Sequence, residues 1–156
     1  MKAAGLFACF GLVALIGCSS DNSAAPTTFN ITLTTAAETP PCTSAGASAT
    51  GTATITIAAD NSSVTVYLTY SGLSGPATAS HIHSGTAAAP GPVVLPFTGA
   101  LTSPFTKTVT SADYVAASGA PPDFATFVTA LKAGGAAYVN VHTAACGPGE
   151  IRGEIQ

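Results

Sequence analysis

The chain has 156 residues, a formal net charge of −3 at pH 7 and only 7% charged residues. Its four basic side chains are too few for the Lys and Arg cluster that binding to a nucleic acid or to an anionic membrane surface requires. Threonine contributes 23 residues and favours strands because it is β-branched. The composition predicts an exported all-β domain and excludes a nucleic-acid-binding protein.

The N-terminal residues resemble the signal of a bacterial lipoprotein. Met1-Lys2 is a basic start, and residues 3–16 are an uncharged apolar run too short to span a bilayer comfortably. The sequence Leu15-Ile16-Gly17-Cys18 resembles a lipobox, which implies cleavage before Cys18 and acylation of its thiol. An ordinary secretory signal that happens to contain Cys18 is the alternative.

These features predict how the chain is divided and where it resides. We expect residues 1–17 to be a lipoprotein signal peptide, residues 18–28 a tether, and residues 29–156 one domain. Several acyl chains, at about 0.8 kcal/mol per buried CH₂, would hold Cys18 on the cell membrane at its extracytoplasmic face. Ser19 after the cysteine implies the outer membrane in a cell that has one.

Alternation of apolar and polar residues predicts about eight strands. The first starts at Phe29, and residues 50–58 and 64–70 form a hairpin around the turn residues 60–62. The other predicted strands are residues 79–84, 92–97, 104–110, 136–143 and 150–156.

One region follows a helical pattern instead. Residues 110–113 resemble a capping box, and residues 121–123 open a helix with Pro and Asp in favoured positions. Its apolar stripe has the spacing i, i+3, i+4, i+7, and its members are Phe124, Phe127, Val128 and Leu131. We therefore expect an all-β fold, either a Greek-key sandwich or a partly closed barrel of about eight strands, with one short helical crossover.

Two cysteines remain once the signal is removed and Cys18 is acylated. Cys42 and Cys146 form an even pair in an oxidising compartment, which predicts a disulfide. Two free thiols are the alternative, because sequence alone does not show that the residues meet.

Several blocks of sequence resemble the CHRD (chordin) domain over residues 29–156. The most specific are His-Ile-His-Ser-Gly at 81–85, Tyr-Val-Asn-Val-His-Thr at 138–143 and Gly-Glu-Ile-Arg-Gly at 149–153. Further matching segments are residues 38–41, 70–76 and 91–94.

The resemblance implies a β-sandwich extracellular module with no established enzymatic activity. We expect a lipid-anchored, non-catalytic module that binds a protein or glycan at the cell envelope. Cys42 and Cys146 flank the matching blocks and are a local addition to the family pattern. Nucleophile-elbow, P-loop, dinucleotide-binding and CxxC motifs are absent from the sequence, which also favours a protein that is not an enzyme.

Alternation places two sets of polar side chains on common strand faces. His81 and His83 share one face of their strand, opposite to Ile82. In the later strand Val139 and Val141 share one face, and the opposite face carries Tyr138, Asn140 and His142. If the apolar residues pack in the core, the polar side chains face outward or into a groove covered by loops.

Three imidazoles from two strands predict an alternative function, a periplasmic copper or zinc site. His81, His83 and His142 are its candidate ligands, and Glu150 is the expected fourth ligand or hydrogen-bond acceptor. The competing interpretation is that the histidines are hydrogen-bonded residues that hold the loop 85–91 in place.

The same strands supply a candidate binding surface made of Tyr138, Asn140 and Arg152. Arg152 lies between Glu150 and Glu154 in the sequence. We expect it to form a surface or groove ion pair, worth about 0–1 kcal/mol if exposed.

Overall fold

The computed structural model describes residues 25–98 and 101–156. The predicted signal peptide and Cys18 lie outside these residues. Within them the chain forms eight strands, each close to a predicted one, and one α-helix. The elements are β1 (Thr27–Thr34), β2 (Thr50–Ile57), β3 (Ser63–Ser71), β4 (Ala77–Ser84), β5 (Val93–Pro96), β6 (Phe105–Thr110), α1 (Phe124–Lys132), β7 (Ala137–Thr143) and β8 (Ile151–Ile155).

All eight strands belong to one antiparallel sheet in the order β5-β4-β7-β8-β1-β2-β3-β6. The two edge strands approach each other, since the rings of Phe97, just after β5, and Phe105, in β6, are 6.3 Å apart. The sheet is therefore a nearly closed barrel. This confirms the all-β prediction in its partly closed barrel form.

The alternating pattern has the predicted consequence for burial. In β2, Ala53, Ile55 and Ile57 are buried in the core, while the intervening threonines face outward. Their hydroxyls pair across strands, as in the 2.8 Å contact between Thr52 Oγ1 and Thr69 Oγ1. Burial of each large aliphatic side chain stabilises the barrel by about 1.5–3 kcal/mol.

The helix α1 also follows its predicted pattern. Asp123 is its N-cap, and the carboxylate accepts a hydrogen bond of 2.7 Å from the backbone N–H of Thr126. The whole apolar stripe from Phe124 to Leu131 is buried. The helix thus crosses from β6 to β7 while it covers part of the barrel core.

A disulfide joins Cys42, in the loop after β1, to Cys146, in the turn before β8, with a Cα–Cα distance of 5.7 Å. This confirms the predicted pair. It ties together two loops that are 104 residues apart in sequence. None of the helices in the described residues has the length and apolar character needed to cross a membrane.

Candidate metal centre

Strand pairing brings the predicted histidines onto one face. In the register between β4 and β7, His81 lies opposite Asn140, His83 opposite Tyr138, and Ala79 opposite His142. Ile82, Val139 and Val141 have no exposed surface and occupy the opposite, core face. One potential ligand atom from each of the three histidines lies within 4.8 Å of the other two.

The spacing of the nitrogens fits a single metal ion. His81 Nδ1 and His142 Nε2 are 3.2 Å apart. Two nitrogens bound tetrahedrally to one zinc ion, with bonds of about 2.0–2.1 Å, lie about 3.3 Å apart. The pair therefore needs almost no movement to bind one ion.

Two of the rings are held in a defined tautomer. His83 Nδ1 lies 2.9 Å from the carbonyl oxygen of Gly91, and His142 Nδ1 lies 2.8 Å from that of Gly147. A carbonyl oxygen only accepts, so both Nδ1 atoms carry the proton and both Nε2 atoms carry a lone pair. A backbone carbonyl on the far nitrogen is the usual support of a metal-binding histidine. The same bond from His83 also holds the loop 85–91, so anchoring of the loop leaves the opposite edge of the ring available to a metal ion.

The imidazoles are neutral at neutral pH. Burial lowers the pKa of His81 to about 4, and its neighbours His142 and His83 add to the effect. Burial also lowers the pKa of His83 and of His142, although their bonds to Gly91 and Gly147 oppose it. Neutral rings are the form that binds metal, since protons compete for the same lone pairs.

Asn140 and Glu38 extend this cluster inward. Asn140 is 1% exposed, and its Oδ1 lies 3.0 Å from His142 Nε2. Glu38 is 3% exposed, and this burial raises the pKa of its carboxyl group. The side chain of Asn140 lies close enough to lower the same pKa, but by less. Glu38 was not predicted from the sequence as a site residue. Two features of the sequence could have indicated it: Glu38 is one of few carboxylates in a charge-poor chain, and it lies in the CHRD-like segment 38–41.

The expected approach of Glu150 to the histidines is not found. Its carboxylate is buried and accepts hydrogen bonds from the backbone N–H groups of Gly46 (2.8 Å) and Ser74 (2.6 Å) and from the hydroxyls of Ser74 and Thr143 (both 2.6 Å). Burial raises the pKa of Glu150, but these bonds outweigh it and lower the pKa. Thr143 and His142 are successive strand residues and point to opposite faces. Because Glu150 is bonded to Thr143, its carboxylate lies on the face of β7 opposite to His142.

The expected ion pair of Arg152 is present, and of the two expected positions, surface or groove, it occupies the groove. Its side chain has no exposed surface and contacts Glu154 through Nη2 at 2.6 Å. Tyr138 and Asn140, proposed with it as a binding surface, are buried too, as is every residue of β7. Of the two expected orientations, the loop-covered groove is the one observed.

Comparison with known proteins agrees with the resemblance noted in the sequence. A family model described as CHRD domain matches residues 29–155, which include both histidine strands. No curated protein and no solved structure matched the chain.

Proposed function

This chain belongs to the CHRD domain family, and we propose that it is a lipid-anchored, non-catalytic protein on the extracytoplasmic face of the membrane that binds a copper or zinc ion through His81, His83 and His142. CHRD domains are binding modules that are not known as enzymes. The proposal adds an anchor and a ligand to that general role.

The observation that carries the metal proposal is the Nε2 atom of His83. It is buried and has no hydrogen-bond partner among the described residues, while its ring donates from Nδ1 to Gly91. A buried acceptor without a donor costs about 1–3 kcal/mol. A metal ion bound jointly with His81 and His142 would remove that cost.

The chemistry of the cluster supports a transition metal rather than calcium or magnesium. Three neutral imidazole nitrogens suit zinc and copper, whereas calcium and magnesium take oxygen ligands. His81 and His83 are only half-buried, so an ion can reach the cluster from solvent.

The anchor is supported by the lipobox-like sequence that ends at Cys18. Acylation there would keep the metal site close to the membrane surface. The envelope protein or glycan partner expected from the family resemblance stays a prediction.

Metal titration tests the proposed function. The full-length exported chain, purified in detergent without a histidine tag and stripped of metal, should bind one Zn²⁺ or Cu²⁺ per chain in isothermal titration calorimetry. Replacement of all three histidines by Ala should abolish binding. An Asp60→Asn variant, which changes an exposed turn carboxylate, should bind as the wild type does.

Thermal unfolding of the triple variant must remain cooperative, because only a folded variant shows that the loss of metal binding is due to the missing imidazoles. Wild-type protein that binds neither ion, or a folded triple variant that binds as tightly as the wild type, would refute the metal site.

A further inference from the structure

We propose that Asn140 Oδ1 is the fourth ligand of the metal, in place of the carboxylate of Glu150, and that Glu38 is a positioning residue that keeps this oxygen turned towards the histidines. The inference rests on the proposed metal site and specifies its coordination.

Asn140 occupies the centre of the cluster. It lies opposite His81 in the strand register, its Oδ1 is 3.0 Å from His142 Nε2, and its side chain is near enough to His83 to oppose the fall in pKa that burial causes there. Two ligand atoms on one tetrahedral ion lie about 3.3 Å apart. The amide oxygen therefore needs a shift of only a few tenths of an ångström to share an ion with His142.

The contact between Asn140 and His142 calls for a cation. Because His142 Nδ1 donates to Gly147, its Nε2 presents a lone pair, and a carbonyl oxygen at 3.0 Å presents another. Two acceptors at this distance repel each other. His81 Nδ1 can donate one hydrogen bond to His142 Nε2 across 3.2 Å, but the oxygen of Asn140 is then left without a donor. An ion bound by both atoms turns the repulsion into two attractive contacts.

Glu38 determines which end of the Asn140 amide faces the histidines. The side chain is buried, and its Oε2 forms no hydrogen bond with any described residue. This oxygen and Asn140 Nδ2 border the same point in space, since a Cβ built on Gly149 would collide with Glu38 Oε2 and lie 3.0 Å from Asn140 Nδ2. A carboxylate only accepts hydrogen bonds, so it attracts the amide nitrogen and leaves Oδ1 directed at the metal site.

Gly149 makes this arrangement possible. It has a φ of 141°, in the region that favours glycine, and any side chain there would overlap the carboxylate. The loop that covers Asn140 therefore has room for Glu38 only because residue 149 lacks a Cβ.

The test uses the untagged full-length chain in detergent, with Co²⁺ as a spectroscopic probe and Zn²⁺ for affinity. We expect Asn140→Ala to change the visible d–d bands of bound Co²⁺ and to weaken Zn²⁺ binding. Asn140→Asp, which keeps an oxygen of nearly the same position, should recover Zn²⁺ affinity relative to Asn140→Ala.

Glu38→Gln should weaken Zn²⁺ binding on the order of 10- to 100-fold, the usual effect of losing a group that orients a ligand. It should also shift the Co²⁺ bands, because a Gln amide can donate to Oδ1 and let Asn140 rotate. Glu154→Gln is the matched control, since it removes the same charge beside Arg152 without touching Asn140, and its spectrum should equal that of the wild type.

The outcomes separate the two proposals. A wild-type chain that binds no metal refutes the proposed function and this inference together. If the wild type binds, unchanged Co²⁺ bands and Zn²⁺ affinity in Asn140→Ala refute the fourth ligand alone. Should Asn140→Ala fail to fold, Asn140→Leu, which fills nearly the same volume without an oxygen, takes its place, and unchanged Co²⁺ bands in that variant do the same. A Glu38→Gln variant indistinguishable from Glu154→Gln refutes the positioning role.

Discussion

The guanidinium carbon of Arg152 lies 3.3 Å from the centroid of the Tyr138 ring. The same ring stacks on His83, with centroids 4.6 Å apart and planes inclined by 9°. Because a ring has two faces, Tyr138 is held between a buried cation and a candidate metal ligand. Burial is the main cause that lowers the pKa of His83, and the positive charge of Arg152 on the far side of the Tyr138 ring adds to it.

Replacing Arg152 should destabilise the fold. In Arg152→Met the ion pair with Glu154 is lost and buried Glu38 loses the positive charge that helps to lower its pKa, so the free energy of unfolding should fall by about 3 kcal/mol. Urea unfolding measures this. Lys132→Met, which removes an exposed amine bonded to Asn61, should cost less than about 0.5 kcal/mol. An equal loss of unfolding free energy in Arg152→Met and Lys132→Met would contradict the stabilising role of the buried Arg152.

Glu150 should matter for stability and not for metal. In Glu150→Gln the negative charge is lost and one of the two oxygens that accept its hydrogen bonds is replaced by an NH₂ group, so the free energy of unfolding should fall by about 1–3 kcal/mol. Zn²⁺ affinity should be unchanged in calorimetry, because the carboxylate serves the other side of β7. A variant of normal stability that has lost Zn²⁺ binding would show instead that Glu150 is a ligand.

The disulfide should contribute strongly to stability. With a sequence separation of 104 between Cys42 and Cys146, the chain-entropy model gives an upper value of about 4–5 kcal/mol. The double variant with Ser at both positions should therefore unfold at a lower temperature than the wild type. A reductant should lower the Tm of the wild type to that of the variant and leave the variant unaffected. A reductant effect of equal size on both proteins would point to another cause.

Stability of the metal-free protein should decline in mild acid. The pKa of His81 falls from an ordinary 6.5 to about 4 in the folded protein, so the unfolded chain takes up a proton first as the pH drops. Stability from this residue is complete above pH 6.5 and is lost between pH 6.5 and 4. The lowered pKa values of His83 and His142 act in the same direction, while the raised pKa of Glu38 opposes them.

Tm measured across this range in EDTA should fall, and His81→Gln should show a smaller fall because it cannot be protonated. A pH dependence identical in the two proteins would exclude His81 as its source.

The proposed lipid anchor depends on one thiol. Cys18→Ser should release the protein from membranes into the soluble fraction, because no acyl chain can be attached. Fractionation followed by mass spectrometry of the mature N-terminus tests this, and Ser19→Ala should remain membrane-bound and acylated. Processing and membrane retention of Cys18→Ser as in the wild type would disprove the lipoprotein prediction.

Much of the fold could be predicted because it depends on local periodicity. The alternation of Ile55 and Ile57 with threonines specifies a strand with one buried face, and the spacing from Phe124 to Leu131 specifies a helix with one buried stripe. The same periodicity predicted that His81 and His83 would share a face. These inferences need only neighbours along the chain.

Tertiary structure decided the parts of the site that depend on distant segments. Pairing of β4 with β7 set His81 opposite Asn140, and loops covered the face that sequence could equally have left to solvent. A polar strand face has the same pattern whether water or a loop lies above it, so the burial of Arg152 and the separate role of Glu150 could not be predicted. Glu38 reaches the site from the loop after β1 by a contact between segments distant in sequence. Local sequence patterns do not predict such contacts.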